Sequence, residues 1–340
     1  MKETTGINNH IESICNLLDF GPLRVIDVGA SGSLWSYFQK FLGSRYVEVV
    51  MVEPSPLHAS QLKKRYESYG NVVIEEVGLY SHDCMATLHY SDTGGASIYE
   101  TTEGLVKAYV EYHSSGAPNK TATVQLRSVS KWMESLNPRF LLGCKLDTQG
   151  CELDIMKAAD PFATAGFLCT EAPLGHKYVQ QQALSEYIAW FEMHGYDIVD
   201  VQINYSCLVQ GANRKAFVRD TFTLEANTSS VASVFKPRCM DGDIYGVKKA
   251  DASSARTDQI LRFFGLLTLE YYAEAYVAVE FLGLNESQTA QLKQYILSIM
   301  KCQATWRDRS RLLNFVLNAL SSKRVQRLLC NIRVIPRVAT

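Results

Sequence analysis

The stretch Lys145-Leu146-Asp147-Thr148-Gln149-Gly150-Cys151-Glu152-Leu153-Asp154 decides how this chain is read. It closes an apolar segment, Phe140–Leu146, with an acid and then enters a glycine turn. Far upstream, Arg24-Val25-Ile26-Asp27-Val28-Gly29-Ala30-Ser31-Gly32-Ser33 repeats the arrangement. Continuous apolar strands suit a sheet covered on both faces. An open parallel α/β sheet presents its chemistry at the carboxyl ends of such strands. The two stretches together imply a nucleotide-type ligand with a reaction site beside it.

Outward from these stretches, apolar runs at Leu23–Val28, Val47–Val52, 72–76, Phe140–Leu146 and 166–170 read as strands. Helical spacing occupies residues 8–19, 33–42, 57–69, 152–159 and 180–194, and a helix begins near Ser128. Two alternating runs, 86–90 and 121–126, flank a polar stretch at 91–120, too long for an ordinary loop. It reads as a lid or as a segment with its own helix near 100–113. Residues 196–202 and 216–224 suggest an antiparallel hairpin closing the sheet. Asn227-Thr228-Ser229-Ser230 and Asp251-Ala252-Ser253-Ser254 have linker composition. The expected organisation is therefore a ligand-binding domain at 1–225, a linker at 226–256 and a C-terminal helical region at 257–340.

The chain has 340 residues, 47% hydrophobic and 20% charged, with net charge −1. That is ordinary globular composition with no global pull toward nucleic acid or a membrane. Nine cysteines include no Cys-x-x-Cys pair and sit mostly in apolar runs, as buried thiols of a reducing cytoplasm do. The first residues lack signal-peptide character, and the most apolar stretch, 260–284, carries Arg262, Glu270, Glu274 and Glu280, against a transmembrane span. Beyond residue 300, nine Lys and Arg face one acid, Asp308. They form either a solvated face or a docking patch for an anionic partner.

The turn at Gly29 and Gly32 lets backbone approach a ligand closely. Its spacing departs from the dinucleotide fingerprint, and Asp27 would face a pyrophosphate with like charge. A carboxylate there suits a cationic ligand such as S-adenosylmethionine. Glu53 ends the second strand 24 residues after Gly29, where an acid chelates ribose hydroxyls.

Four pieces resemble the FkbM-type methyltransferases: Val25-Ile26-Asp27-Val28-Gly29-Ala30, Val52-Glu53-Pro54-Ser55-Pro56, Val77-Gly78-Leu79-Tyr80-Ser81 and Lys145 through Lys157. The resemblance covers roughly residues 15–225 and departs at Gln149, where many members carry glutamate. It implies a Rossmann-like class I methyltransferase fold: a mostly parallel seven-stranded sheet with helices on both faces, here with a C-terminal helical extension. It implies methyl transfer from S-adenosylmethionine, usually to a hydroxyl of a sugar or natural product. Asp27, Gly29, Ala30, Gly32, Glu53, Pro54, Ser55, Gly78 and Leu79 are the expected cofactor residues.

For the reaction, Asp147 is the first candidate base, with Lys145 alternating beside it on the strand. Glu152 opens the next helix, where the dipole favours its anion, as base or as helix-start charge contacting Lys145. His176, in a loop after Glu171, is a further candidate base because imidazole titrates near neutrality. Asp147, Glu171 and His176 also form a weaker set of oxygen and nitrogen ligands for a divalent metal; no metal is expected. Asp147-Thr148-Gln149-Gly150 lacks the Pro-Pro-aromatic segment of DNA amino-methyltransferases, which argues against nucleic acid. The expectation is a cytoplasmic enzyme acting on a small molecule or saccharide. Its C-terminal helices are available for a homodimer or a protein partner. The alternative is a non-catalytic scaffold docking a glycan-synthesis partner through those basic helices.

Overall fold

In the computed structural model, the structure describes residues 4–90, 96–100, 120–174, 178–206 and 238–304. Five strands run parallel: β1 (Leu23–Val28), β2 (Val47–Val52), β3 (Val72–Glu75), β7 (Phe140–Leu146) and β8 (Phe167–Pro173). Two more complete a seven-stranded sheet, β9 (Tyr196–Ser206) and β10 (Arg238–Lys248), with the order β3-β2-β1-β7-β8-β10-β9. β10 is antiparallel to both its neighbours. This mostly parallel seven-stranded sheet is the class I methyltransferase fold expected from the sequence.

Side chains alternate across each strand, so the sheet feeds two cores. One face carries Val25, Val49, Met51, Phe167, Tyr245 and Val247, and it packs on α1 (Thr4–Leu18), on a 3₁₀ helix (Ser36–Phe41) and on the C-terminal helices. The other face carries Ile26, Val28, Val50, Cys144, Leu168 and Ile244. It is covered by α3 (Val129–Ser135), α4 (Glu152–Lys157) and α5 (Leu184–Met193), through Trp132, Leu153, Tyr187 and Trp190. Every residue of β1 is buried, which is why its run is continuous rather than alternating. α2 (Pro56–Tyr66) links β2 to β3 and starts on a proline whose missing N–H would have had no helical partner anyway.

A smaller sheet stands beside the carboxyl ends of β1 and β2. It contains β4 (Gly78–Tyr80), β5 (Cys84–Tyr90) and β6 (Lys120–Ser128), in the order β4-β6-β5. Leu88, Val124 and Leu126 form its core.

Four features differ from the expectations. The helix expected at 33–42 is the 3₁₀ segment Ser36–Phe41, because Trp35 before it is extended and its N–H is drawn to Asp27. The turn at 77–81 contains β4, which pairs with β6. The expected linker at 226–256 contains β10, inserted between β8 and β9. Its Asp241-Gly242-Asp243 reads as a turn, yet Ile244, Tyr245 and Val247 are buried in the two cores. The strand expected at 216–224 and the helix expected at 100–113 lie outside the described residues.

The C-terminal helices α6 (Arg256–Thr268), α7 (Tyr272–Ala278) and α8 (Glu286–Ala304) do not form a separate core. Phe263, Phe264, Leu292 and Ile296 belong to the same buried cluster as Val25 and Val49. Arg262 ties α6 to the sheet by donating to Asp197 at 2.9 Å and to the Lys248 carbonyl at 2.7 Å. Of the basic residues beyond 300, only Lys301 falls among the described residues. Among these residues, no helix is long and apolar enough to cross a membrane. Five cysteines (Cys15, Cys84, Cys144, Cys151 and Cys169) are free thiols.

Candidate cofactor and acceptor site

Six strands of the two sheets (β1, β2, β4, β5, β6 and β7) contribute residues in or just after them to the wall of one cavity of about 160 Å³. Gly29, Glu53, Pro54, Gly78, Leu79 and Asp147, all named as candidates from the sequence, line it. Leu88, Leu126, Ala96 and Ile98 close it from the small sheet and the segment after residue 95. Ala96 and Ile98 belong to the 91–120 stretch read as a lid, whereas no motif marked Leu88 and Leu126, which the pairing of β5 with β6 brings here. Gly29 has φ +80°, and a Cβ on it would lie 1.9 Å from the Asp147 carbonyl oxygen. Glycine is required there twice over, by conformation and by the close approach of β7.

The other expected residues sit behind or beside this cavity. Ala30 is buried, Gly32 is exposed on the turn, and Ser55 is buried with its N–H donating to Glu53 Oε1 at 2.8 Å. Asp27, expected against the ligand, does not line the cavity. Its Oδ2 accepts the Trp35 N–H at 2.8 Å, and its Oδ1 has no hydrogen-bond partner but lies 3.8 Å from Lys145 Nζ. Burial pushes its pKa up, against the opposing pull of Lys145 and the Trp35 amide. His176 lies outside the described residues.

Burial of Lys145 opposes its charge, but Asp147 and Asp27 outweigh burial and hold the ammonium well above its usual range. A group so strongly protonated is a fixed cation beside both carboxylates. Its partner Asp147 is half-buried, and although desolvation opposes its charge, Lys145 at 2.9 Å and the Gln149 amide pull its carboxyl below the usual range. Glu152 is buried and does not line the cavity. Its carboxylate accepts the N–H groups of Thr148 at 2.8 Å and Gly150 at 3.0 Å, so it holds the turn together. The expected contact with Lys145 is replaced by these backbone bonds. Burial raises the Glu152 pKa despite them.

Gln149 occupies the middle of the acceptor side. Its Nε2 donates to Asp147 Oδ1 at 2.8 Å and to Glu171 Oε2 at 2.6 Å, while its Oε1 accepts the Tyr178 hydroxyl at 2.9 Å. Oxygens of Asp147, Glu152 and Glu171 lie within 4.8 Å of one another. Among the described residues, the structure thus gathers Glu152 with Asp147 and Glu171.

At the opposite end, burial raises the Glu53 carboxyl to about 7; the Ser55 amide opposes this and Asp27 adds to it. His58 Nδ1 stands 3.9 Å from Glu53 Oε1. The donor set fits a nucleoside with a cationic tail: a carboxylate for ribose hydroxyls, apolar walls for a base, and an ionised Asp147 by the glycine turn.

Residues 27–198 match the family described as Methyltransferase FkbM domain. No curated protein matches the chain. Among solved structures it is similar to a precorrin-6y C5,15-methyltransferase from Geobacter metallireducens, at 13% identity and TM-score 0.33, over 70% of this chain and 89% of that one. It is also similar to a fibrillarin from Aeropyrum pernix in complex with S-adenosyl-L-methionine, at 11% identity and TM-score 0.32, over 71% and 76%. A third is an S-adenosylmethionine-dependent O-methyltransferase from Thermotoga maritima, at 12% identity and TM-score 0.30, over 72% and 65%.

Proposed function

Because the chain belongs to the FkbM methyltransferase family, whose cofactor is S-adenosylmethionine, we propose that it methylates a hydroxyl of a saccharide or secondary metabolite in the cytoplasm. The cofactor supplies an electrophilic methyl: the acceptor oxygen takes the carbon, the C–S electrons return to sulfur, and the hydroxyl proton passes to a base. The protein's part is to position the acceptor and to receive that proton, and good positioning contributes on the order of 7–11 kcal/mol.

One observation carries the reading: the Asp147 carboxyl at the cavity, held by Lys145 at 2.9 Å and by the Gln149 amide at 2.8 Å. A carboxylate with a depressed pKa is always available as a base. It suffices because the hydroxyl becomes strongly acidic as its oxygen gains the methyl carbon. Glu53 and the backbone at Gly29 and Gly78 would hold the nucleoside, with Pro54 and Leu79 beside it. Asp27 acts through Lys145, which it helps keep charged.

The test is calorimetric titration with S-adenosylhomocysteine, with NADH as control, followed by a screen of hydroxylated acceptors for S-adenosylhomocysteine release. Micromolar binding weakened by Glu53→Ala supports the cofactor site. Asp147→Asn is expected to lower turnover by about 10²–10⁴-fold. Unchanged turnover would remove Asp147 as the base, and methylation confined to amines would overturn the hydroxyl assignment.

A further inference from the structure

Asp147 follows β7 and Glu171 lies in the last half of the adjacent parallel strand β8, just past Leu146 and Thr170, the last residues the two strands pair. Two carboxylates that close repel unless a proton, a cation or a shared donor lies between them. Here the Gln149 amide uses one N–H on each carboxylate, beside a direct hydrogen bond between the Asp147 and Glu171 carboxyls. Its remaining polar atom, Oε1, accepts from Tyr178, so the amide cannot flip without losing all three bonds.

The backbone below is equally fixed. Gln149 has φ +58°, the left-handed region that a non-glycine residue enters only when its surroundings hold it there. Its carbonyl accepts the Ser97 hydroxyl at 2.7 Å. The next residue, Gly150, has φ +122°, and a Cβ there would lie 2.8 Å from the Tyr178 ring and 3.2 Å from the Tyr99 ring. The two tyrosines and Ser97 therefore fix the loop that aims the amide.

We propose that Gln149 is a positioning residue that clamps Asp147 and Glu171 into one metal-independent proton acceptor. This rests on the reading of Asp147 as base. The amide takes the place that a divalent cation occupies where carboxylates converge. It is neutral, so unlike a cation it lowers the basicity of the carboxylates only through its hydrogen bonds. That proton moves from the hydroxyl oxygen to an Asp147 oxygen, with Glu171 as the adjacent acceptor in the same unit.

Two consequences separate this role from a structural one. Wild-type protein has its convergent oxygens occupied by the amide, so it takes up no Mn²⁺ at millimolar concentration, read by the free-ion paramagnetic resonance signal. Gln149→Glu replaces the clamp with a further carboxylate among Asp147, Glu152 and Glu171. It is expected to bind Mn²⁺ at least about tenfold more tightly than wild type and to regain melting temperature when Mn²⁺ is added. Gln149→Ala opens the same oxygens without adding charge and is expected to bind Mn²⁺ more weakly than Gln149→Glu but more tightly than wild type.

Mn²⁺ binding by wild type that Asp147→Asn abolishes would overturn the proposal, since the pair would then be a cation seat. Folded Gln149→Glu without Mn²⁺ binding would overturn it too, because the carboxylates would not converge. Should Gln149→Glu fail to fold, Gln149→Ala decides by the same criterion. None of these readings uses the cofactor, so S-adenosylhomocysteine titration tests the methyltransferase reading separately.

Discussion

Glu53 makes cofactor affinity depend on pH, and the size of the effect follows from its surroundings. The carboxyl is buried at the end of β2 and lines the cavity. Its pKa stands at about 7 instead of 4.5, burial being the largest cause. At 1.36 kcal/mol per pH decade, the charged form is penalised by about 3 kcal/mol in the unliganded protein. Ribose hydroxyls donate to a carboxylate, so binding selects the ionised form. With a pKa of about 7, roughly one molecule in eleven is ionised at pH 6 and ten in eleven at pH 8. The dissociation constant of S-adenosylhomocysteine should therefore fall about tenfold from pH 6 to pH 8. Near pH 6 binding should release close to one proton, read as a calorimetric enthalpy that changes with the buffer's ionisation enthalpy. Adenosine should show the same trend, which excludes the amino-acid tail as its source. Glu53→Gln should flatten the profile, assigning the slope to this carboxyl and not to His58, 3.9 Å away. Wild-type affinity that is constant across this range would refute the argument. The sign for stability is the reverse. The folded chain holds this proton more tightly than the unfolded one, so unliganded stability falls as pH rises from about 4.5 to about 7.

Further outcomes follow from the same geometry. Lys145→Met strands Asp27 and Asp147 without their cation and should lower unfolding free energy by about 3 kcal/mol in urea titrations; a loss below about 1 kcal/mol would deny the pair its role. The depressed Asp147 pKa stabilises the fold above the unfolded value of about 3.9, and that share is lost as pH falls through the folded value; Lys145→Met should remove this acid limb. Gly29→Ala places a Cβ against the Asp147 carbonyl, whereas Gly32→Ala meets nothing within 4 Å and suffers only its positive φ. Gly29→Ala should therefore melt well below Gly32→Ala, and equal melting temperatures would contradict the contact. Ile296→Ala on α8 should destabilise by about 2–5 kcal/mol in a single calorimetric transition, because Ile296 shares the buried cluster of Val25; a separate low-temperature transition would mean an independent helical domain.

β1, β2 and β7 were legible residue by residue in the sequence. Each is a continuous apolar run buried on both faces and stopped by an acid or a glycine turn, so its boundaries are written locally. β10 was not legible. Asp241, Gly242, Asp243 and Gly246 interrupt its apolar pattern, and its partners β8 and β9 are distant in sequence. β4 has three residues, too few to show a period. In the site, Glu53 and Asp147 were readable as acids at strand ends. Asp27 looked equivalent, but the extended residue before the 3₁₀ helix brings the Trp35 amide onto it. The link from Asp147 through Gln149 to Glu171 required a left-handed glutamine and the register of β7 against β8, and neither leaves a signature in residue type.

The insertion of β10 between β8 and β9 bears on how the chain is made. A ribosome emits β8 and β9 well before β10, and among the described strands β9 joins the sheet only through β10. Until residue 248 has emerged, the β8 edge stays open, and an open edge invites pairing with other chains. Closure then waits longer still, since α1 packs on α8, with His10 and Tyr295 rings 5.8 Å apart. Nascent chains halted near residue 225 should therefore be captured by chaperones or aggregate, while chains released past residue 304 fold as one unit.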